Sequence, residues 1–277
     1  MRILRLESTD SLAELKEQYL LQTTAPLDGM WLFGFVPMAA HYGFHDGEDL
    51  IGFCCVNAEG YLLQLFLSAS HRHLSPQVME PLLRPDGPSG ELHGAFASTA
   101  EPQYLSLCLD HFPTFEVNAL MYQRDRPPGA SAHEIDGGIP PLVPIEGAQI
   151  ATAVAFAVEN IGAPEDWLAG YYANLISRRE LFGVWAEDRL IALGENRRND
   201  GAQVDCADLG VVVAQSERGK GIATEVMRRL AIANDAKGLL SICSTERTNI
   251  AAQKAIVRAG FFAHNRILRL RRAAVRV

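Results

Sequence analysis

The sequence lacks any apolar run that approaches the ~20 residues of a membrane-spanning helix. Its amino-terminal stretch, MRILRLESTDSLAEL, carries charges throughout and shows no cleavage site for a secretory signal. We therefore expect no membrane partner and a cytoplasmic location. An excess of positive charge is also missing, because 25 Lys and Arg residues face 33 Asp and Glu residues, a net charge of −8. That balance argues against general binding of nucleic acid.

Cysteine is scarce, and its pattern does not indicate a disulfide framework. The cysteines occur in an odd number, lie in apolar segments and show no metal-ligand spacing; they are Cys54, Cys55, Cys108, Cys206 and Cys243. Such residues are typical of reduced thiols in the core of a cytoplasmic protein. We expect no metal site.

The length of 277 residues favours two domains, because single hydrophobic cores stop growing near ~250 residues. An apolar fraction of 48% and a charged fraction of 21% are those of a soluble globular protein. Proline and glycine are concentrated in residues 126–147, which we interpret as a linker that can include the first strand of the next domain, for example around 133–135. The predicted domains are therefore residues 1–125 and 148–277.

Apolar periodicity predicts alternating strands and helices in both halves, which indicates an α/β fold. In the first half the predicted elements are strands at 2–6, 31–36, 50–56, 61–67, 95–99 and 115–122, and helices at 10–21, 77–83 and 101–110. In the second half they are helices at 149–160, 165–177, from 222 and at 251–258, and strands at 181–185, 190–193, 209–213, 239–243 and 261–270.

The two halves show a faint internal repeat. Residues 67–72 resemble residues 213–218, and residues 97–99 resemble residues 243–245, with one offset of 146 residues. Duplication explains this shared offset, while chance similarity between two β-rich segments is the alternative.

The most informative segment is Leu209–Leu230, where an apolar strand is followed by Arg218-Gly-Lys-Gly-Ile-Ala223 and then by a helix. Glycines let successive backbone N–H groups converge, and a helix N-terminus adds unpaired donors, so this arrangement can cradle phosphate. The loop has neither the Lys-Ser/Thr pair of a P-loop nor the third glycine of a dinucleotide-binding turn. In the first half, residues 73–76 (His-Leu-Ser-Pro) replace the glycines, so we expect phosphate binding in the second half alone.

The loop resembles the Arg/Gln-x-x-Gly-x-Gly/Ala signature of the GNAT superfamily of acyl-CoA-dependent N-acyltransferases. A second shared feature lies downstream, where Asn249 opens a helix that ends in Gly260-Phe261. The resemblance implies two tandem GNAT-like domains, each with a mixed, mostly antiparallel central sheet flanked by helices, the amino-terminal copy being degenerate. It also implies that two neighbouring strands splay apart to admit the cosubstrate acetyl-CoA.

Carried onto this sequence, the resemblance implies a set of cosubstrate-binding residues, with no metal. They are Val211, Val212, Val213, Arg218, Gly219, Lys220, Gly221, Ile222, Ala223, Thr224 and Asn249. Backbone N–H groups of the three valines would pair with the pantetheine arm and polarise the thioester carbonyl. Asn249 either contacts that arm or only caps its own helix.

The reaction implied is direct attack of a neutral amine on the thioester, with a carboxylate taking the ammonium proton. The candidate bases are Asp208, then Glu195, then Asp205. Many family members place a Tyr four residues before the Gly of Gly-Phe as general acid, but here that position is Ile256. The proton for the leaving thiolate would then come from Tyr171, Tyr172 or the first half, or not be needed.

The leading hypothesis is an N-acetyltransferase that transfers an acetyl group to a small-molecule or peptide amine, acting as a monomer or homodimer. The net negative charge suits a cationic acceptor. The alternative is a catalytically inactive, CoA-binding regulatory or structural protein, which the absent Tyr and the degenerate first half favour.

Overall fold

The computed structural model describes residues 1–124, 138–199, 201 and 203–272. The chain forms two compact units, Met1–Leu120 together with the chain from Asn265 onward, and Met121–His264. The predicted domains, residues 1–125 and 148–277, remain a prediction. Their bounds differ from those of the two units, because most of the C-terminal strand belongs to the first unit. The strand suggested near 133–135 lies outside the described residues.

The helices and strands alternate along both halves of the chain. In chain order they are β1 (Arg2–Arg5), α1 (Ala13–Leu20), α2 (Val36–Met38), β2 (Ala40–Asp46), β3 (Asp49–Val56), β4 (Tyr61–Leu67), α3 (Ser75–Leu82), β5 (Gly94–Ser98), α4 (Pro102–His111), β6 (Thr114–Arg124), β7 (Leu142–Pro144), α5 (Ile150–Ile161), α6 (Glu165–Ser177), β8 (Leu181–Ala186), β9 (Arg189–Arg198), β10 (Cys206–Val213), α7 (Ile222–Asp235), β11 (Leu240–Glu246), α8 (Ile250–Arg258) and β12 (Phe261–Arg271).

The sheet of the first unit is antiparallel from β1 to β4, after which β4 pairs with β5 in parallel through Tyr61↔Gly94 and Leu62↔Ala95. The C-terminal part of β12 then pairs antiparallel with β5, from Ile267↔Ser98 to Arg271↔Gly94.

The sheet of the second unit repeats this plan. Strands β7, β8, β9 and β10 are antiparallel neighbours, and β10 pairs with β11 in parallel from Cys206↔Leu240 to Asp208↔Ile242. The predicted fold class, a mixed and mostly antiparallel sheet flanked by helices, is confirmed.

Helices α5 and α6 cover one face of the second sheet. Their apolar residues recur at helical spacing and pack with residues of β9 and β10; Phe156, Leu168, Tyr172, Leu193 and Val212 belong to this core cluster. Helix α5 ends at Gly162, which adopts the left-handed conformation (φ 69°) that favours glycine.

A cavity of about 70 Å³ lies beside the end of β4 in the first unit, and Tyr19, Glu101 and Tyr104 are among the residues that line it. Glu101 is buried and accepts hydrogen bonds from the Tyr19 hydroxyl and, at 2.7 Å, from the Ser98 N–H. Burial raises the pKa of Glu101 to about 7, although both hydrogen bonds act in the opposite direction.

Replacing Glu101 should therefore remove a pH-dependent contribution to the free energy of unfolding. Because the folded pKa lies above the unfolded one, this contribution is fully present below pH 4.5 and is lost as pH rises through about 7. The difference between the folded and unfolded pKa of Glu101 corresponds to about 3 kcal/mol in the free energy of unfolding. We expect Glu101→Gln to match the unsubstituted protein at pH 4 and to exceed its free energy of unfolding at pH 8, measured by urea unfolding. Glu59→Gln, an exposed change in the same unit, is the control, and parallel pH dependence in all three proteins would contradict the assignment.

Two element predictions in the first half are wrong. Residues 31–36 were predicted as a strand, but Trp31–Phe35 form a π-helical turn that continues into α2. The Asp28 carboxylate accepts a hydrogen bond from the Trp31 N–H at 2.8 Å, as a helix-capping side chain does. Strand β2 was not predicted, since Gly43 and two histidines interrupt its apolar pattern.

The described residues contain no helix long and apolar enough to cross a membrane. Within the same residues, no cluster of three or more His, Cys, Asp or Glu side chains is arranged to hold a metal ion. All five cysteines are described and buried, and none of them forms a disulfide.

Candidate active site

The central feature of the second unit is a cleft between β10 and β11. Their parallel pairing ends at Asp208↔Ile242, and beyond it Leu209–Val213 and Cys243–Thr245 line opposite walls of a cavity of about 540 Å³. The first turn of α7 and one face of α8 complete the lining. This volume suits a ligand of cofactor size.

Strand alternation decides which backbone groups of β10 face the cleft. The Ala214 N–H donates to Ile191 O at 3.0 Å, toward the β9 side. Because backbone groups alternate along an antiparallel strand, those of Val212 also point toward β9, while those of Val211 and Val213 point toward the cleft. Of the three valines named from the sequence, two can therefore offer backbone N–H groups to a ligand.

The glycine loop has the backbone geometry that its sequence predicts. Gly219 and Gly221 have φ angles of 81° and 83°, and Gly221 directly precedes α7. L-residues avoid such angles, which explains the glycines. A Cβ atom at either position would meet nothing within 4 Å, so the space beside both residues is open. Both glycines line the cleft, with Ile222, Ala223 and Thr224 beyond them.

Arg218 also lines the cleft, but two of its donors bind carbonyl groups. Its Nε donates to Val213 O at 3.3 Å, and its Nη2 donates to Asn160 O at 2.8 Å near the end of α5. The guanidinium thus ties the loop to a strand end and to a helix C-terminus, where a cation is favourable.

Charged side chains surround the phosphate loop. Glu217 accepts from Lys220 at 2.8 Å and from Arg189 at 2.7 Å, and these hydrogen bonds lower the pKa of its carboxyl. On the opposite wall, Lys254 and Arg258 lie one helical turn apart on α8 and line the cleft. The basic residues that line the cleft are Arg218 on the loop side and Lys254 and Arg258 on α8, whereas the described lining does not include Lys220.

Asn249 caps α8, since its Oδ1 accepts a hydrogen bond from the Ala252 N–H at 3.1 Å. It also lines the cleft. The capping alternative is thus confirmed, while a contact between Asn249 and the cosubstrate stays a prediction.

A buried polar cluster lies on the face of β9 and β10 that α6 covers. Arg197 donates to Asp208 Oδ2 at 2.8 Å and to Glu195, and its Nη1 also reaches the Tyr171 hydroxyl at 2.9 Å. Tyr171 in turn donates to Glu195 Oε2 at 2.7 Å. Glu195 and Asp208 are only 6% and 3% exposed, so neither of them is a solvated charge at a strand end.

The electrostatics of this cluster keep its tyrosine neutral and its arginine charged. Burial, followed by the charge of Glu195, raises the pKa of Tyr171 well above its usual range. Burial lowers the pKa of Arg197, but Asp208, Tyr171 and Glu195 more than offset this, so the pKa lies well above its usual range. One guanidinium therefore faces two carboxyl groups and a phenol.

Gly210 connects this cluster with the cleft. It lines the cavity, and a Cβ atom placed on it would lie 2.9 Å from Glu195 Oε2 and 3.2 Å from Arg197 Nη1. The carboxylate of Glu195 thus lies directly over the one residue of β10 that has no side chain. Arg197 pairs with both carboxylates, so the proximity of Glu195 to Gly210 is the observation that distinguishes it from Asp208.

The other predicted residues are less well placed for proton transfer. Asp205 is exposed and precedes β10, five residues from Gly210, which corresponds to about 16 Å along an extended strand. Ile256 is buried, lines the cleft and has no proton to donate. Tyr172 is fully buried in the core under α6, and burial followed by the charge of Glu195 raises its pKa.

Sequence reasoning missed Arg197 and Asn160. A cation inside an amphipathic strand usually indicates a solvated face, and an Asn near a helix end usually indicates a local cap. Only the pairing of Arg197 with Asp208 across β9 and β10 reveals the buried role of the first. The role of Asn160 is apparent only in the structure, where the loop lies against the end of α5.

A cleft between diverging parallel strands, with a glycine loop at a helix N-terminus and a buried carboxylate beside the strand, defines an acyltransferase. Comparisons with known proteins agree. The family model described as an acetyltransferase (GNAT) domain matches residues 8–125, and the acetyltransferase (GNAT) family model matches residues 150–261. The chain belongs to the GNAT family and carries two GNAT domains in tandem, which assigns it to the acetyltransferases in general terms.

Solved structures support the same classification. A GNAT-family acetyltransferase from Colwellia psychrerythraea is 45% identical, with a TM-score of 0.90, and the match covers 99% of this chain and 100% of that one. A tandem GNAT protein from the clavulanic acid biosynthesis pathway shares the fold at 13% identity and a TM-score of 0.66, covering 98% of each chain. A GCN5-related N-acetyltransferase from Sphaerobacter thermophilus shares it at 14% identity and 0.58, covering 87% of this chain and 82% of that one. No curated protein matches the chain.

Proposed function

We propose that the chain transfers an acetyl group from acetyl-CoA to a primary amine by direct attack in a ternary complex, with the reaction in the second unit. The observation that carries this proposal is Glu195, a buried carboxylate that lies over Gly210 where β10 borders the cleft. The open glycine loop, the backbone groups of Val211 and Val213, and the basic residues of α8 all fit a long, phosphate-bearing thioester.

In the proposed reaction the residues of the second unit position two substrates and move one proton. The loop Arg218–Ala223 and the first turn of α7 bind phosphate groups through backbone N–H donors. The backbone N–H groups of Val211 or Val213 stabilise the charge that develops on the carbonyl oxygen. Holding the amine against the carbonyl removes much of the entropic barrier.

Glu195 is the base in this proposal. The amine nitrogen bonds to the carbonyl carbon as the carbon–sulfur bond breaks, and the ammonium proton passes to the Glu195 carboxylate. Two protons leave the nitrogen of a protonated amine: Glu195 passes the first to solvent before the attack and takes up the second as the amide forms. Tyr171, which already donates to Glu195, can give its proton to the leaving thiolate and regain this second proton from Glu195, so one proton ends on the thiol and one in solvent. Arg197 and Asp208 hold this pair in place, and Asp208 remains the competing base.

An alternative reading keeps cosubstrate binding but no turnover. Ile256 is the observation that favours it, because a residue without a proton stands where many relatives of this family have a Tyr. An assay of acetyl-CoA with a panel of aliphatic, aromatic and peptidyl amines separates the two.

We expect steady release of free CoA thiol with at least one amine class, at rates that depend on amine concentration and exceed hydrolysis without amine. Detection of the thiol with a chromogenic disulfide gives the rate, and mass spectrometry identifies the acetylated amine. Binding of acetyl-CoA without thiol release across the panel would support the inactive alternative and contradict the proposal.

A further inference from the structure

Asn160 is a buried residue that the proposed reaction does not use, yet its polar groups hold the glycine loop. It lies one residue before the end of α5 and is 8% exposed. Its Oδ1 accepts a hydrogen bond from the Gln215 N–H at 2.8 Å, and its carbonyl oxygen accepts one from Arg218 Nη2 at 2.8 Å. The Nδ2 atom donates to Phe156 O within the helix at 2.8 Å, which fixes the side-chain orientation.

The hydrogen bonds of Asn160 with Gln215 and Arg218 hold the segment between β10 and the glycines. Gln215 opens a single 3-10 turn, Gln215–Glu217, and Arg218 follows it in an extended conformation. Both ends of this turn are therefore attached to one residue of α5. Arg218 adds a third attachment through Val213 O, where β10 ends.

Of the glycines that follow, Gly221 is attached to α7, because its carbonyl oxygen accepts a hydrogen bond from the Glu225 N–H at 3.1 Å. A Cβ atom at Gly219 or Gly221 would meet no atom within 4 Å, so the space beside both residues is open. Glycine also loses more conformational freedom on ordering than any other residue. A loop of this kind binds tightly only if the adjoining segment already fixes where its N–H groups point.

We propose that Asn160 is a positioning residue that pre-organises the phosphate-binding loop through Gln215 and Arg218. The proposal rests on the function given above, since the ligand positioned there is acetyl-CoA. Arg218 serves in this view as a link between loop and helix, in addition to any contact with phosphate. A purely structural Asn160 would affect stability without affecting affinity.

The test compares two variants by calorimetric titration with acetyl-CoA. Asn160→Leu removes the acceptor at nearly constant volume and should weaken binding about tenfold, the effect of losing one hydrogen bond. Asn196→Leu is the matched control, because Asn196 is 7% exposed and pairs with Asn234 away from the loop. It should lose stability and keep its affinity.

Two further measurements separate positioning from general destabilisation. In steady-state kinetics, Asn160→Leu should raise the KM for acetyl-CoA about tenfold and leave kcat within about twofold. Without any ligand, amide hydrogen exchange across residues 213–223 should accelerate in Asn160→Leu, while residues 150–156 of α5 exchange at their original rate.

The proposal is overturned if Asn160→Leu binds acetyl-CoA as tightly as the unsubstituted protein, or if Asn196→Leu weakens binding as much as Asn160→Leu does. If the unsubstituted protein itself gives no binding heat, the proposed cosubstrate is wrong. The exchange measurement then still decides whether Asn160 orders the loop, and unchanged exchange in Asn160→Leu would reject that as well.

Discussion

Glu195→Gln should lower kcat about 10²-fold or more while leaving the affinity for acetyl-CoA unchanged. An amine with a pKa near ~10 is almost wholly protonated at neutral pH, so attack requires a nearby group that takes the proton. Gln preserves the shape of the side chain and still accepts the Tyr171 hydroxyl, which bonds Glu195 Oε2 at 2.7 Å. The loss therefore reports the missing base, and steady-state kinetics with a verified acceptor measures it.

Two other variants show whether a lower kcat in Glu195→Gln comes from the loss of the base. Glu180→Gln is a matched control, because Glu180 is 3% exposed, forms ion pairs with Arg178 and Arg198, and is absent from the cleft lining. It should lower the melting temperature and leave kcat intact. Asp208→Asn should chiefly destabilise the protein by removing one of the two carboxylates that pair with the buried Arg197. If Asp208→Asn instead abolishes the acid limb of the kcat/KM pH profile while Glu195→Gln retains it, the base is Asp208.

Gly221→Trp should abolish acetyl-CoA binding, whereas the unsubstituted protein should bind one equivalent per chain. The residue has a φ of 83°, and the space beside it is open toward the cleft, so an indole would occupy the volume that the phosphate groups need. One equivalent is expected because residues 73–76 (His-Leu-Ser-Pro) stand in the first half where the second half has its glycines. Calorimetry gives both the affinity and the stoichiometry.

The control for this substitution is Gly238→Trp. Gly238 has a φ of 73° and open space around it, but it does not line the cleft. Both variants carry the same backbone strain, about 1–2 kcal/mol for an L-residue in this region. Gly238→Trp should therefore lose stability and bind normally. Unaltered binding by Gly221→Trp, or two equivalents bound by the unsubstituted protein, would contradict the assigned site.

The sequence was sufficient to predict the strand, the glycine loop and the helix that border the cleft, because their signals are local. A β-branched run, two glycines and a helical periodicity follow one another within Leu209–Leu230, and each element forms for reasons contained in that stretch. The duplication was likewise visible in the shared 146-residue offset, and both halves match GNAT family models.

The acid–base cluster was only partly predictable because it depends on strand register. Glu195 and Asp208 were identified as carboxylates near the central strand, but their partner Arg197 became apparent only from the pairing Asp208↔Arg197. Residues 31–36 show a different failure. Their aromatic run has the composition of a strand, yet Asp28 begins a helical turn there through a contact that composition does not encode.

The C-terminal strand has a consequence for how the chain is made. Residues 267–271 of β12 pair with β5, although about 170 residues separate the two segments in the sequence. A ribosome synthesises roughly 5–20 residues per second and releases amino-terminal segments first. The nascent first unit must therefore wait, with the β12 side of β5 unpaired, until residues 267–271 have been synthesised. A truncation before residue 267 would deprive a strand of the amino-terminal half of this partner, although the missing residues lie far away in the sequence.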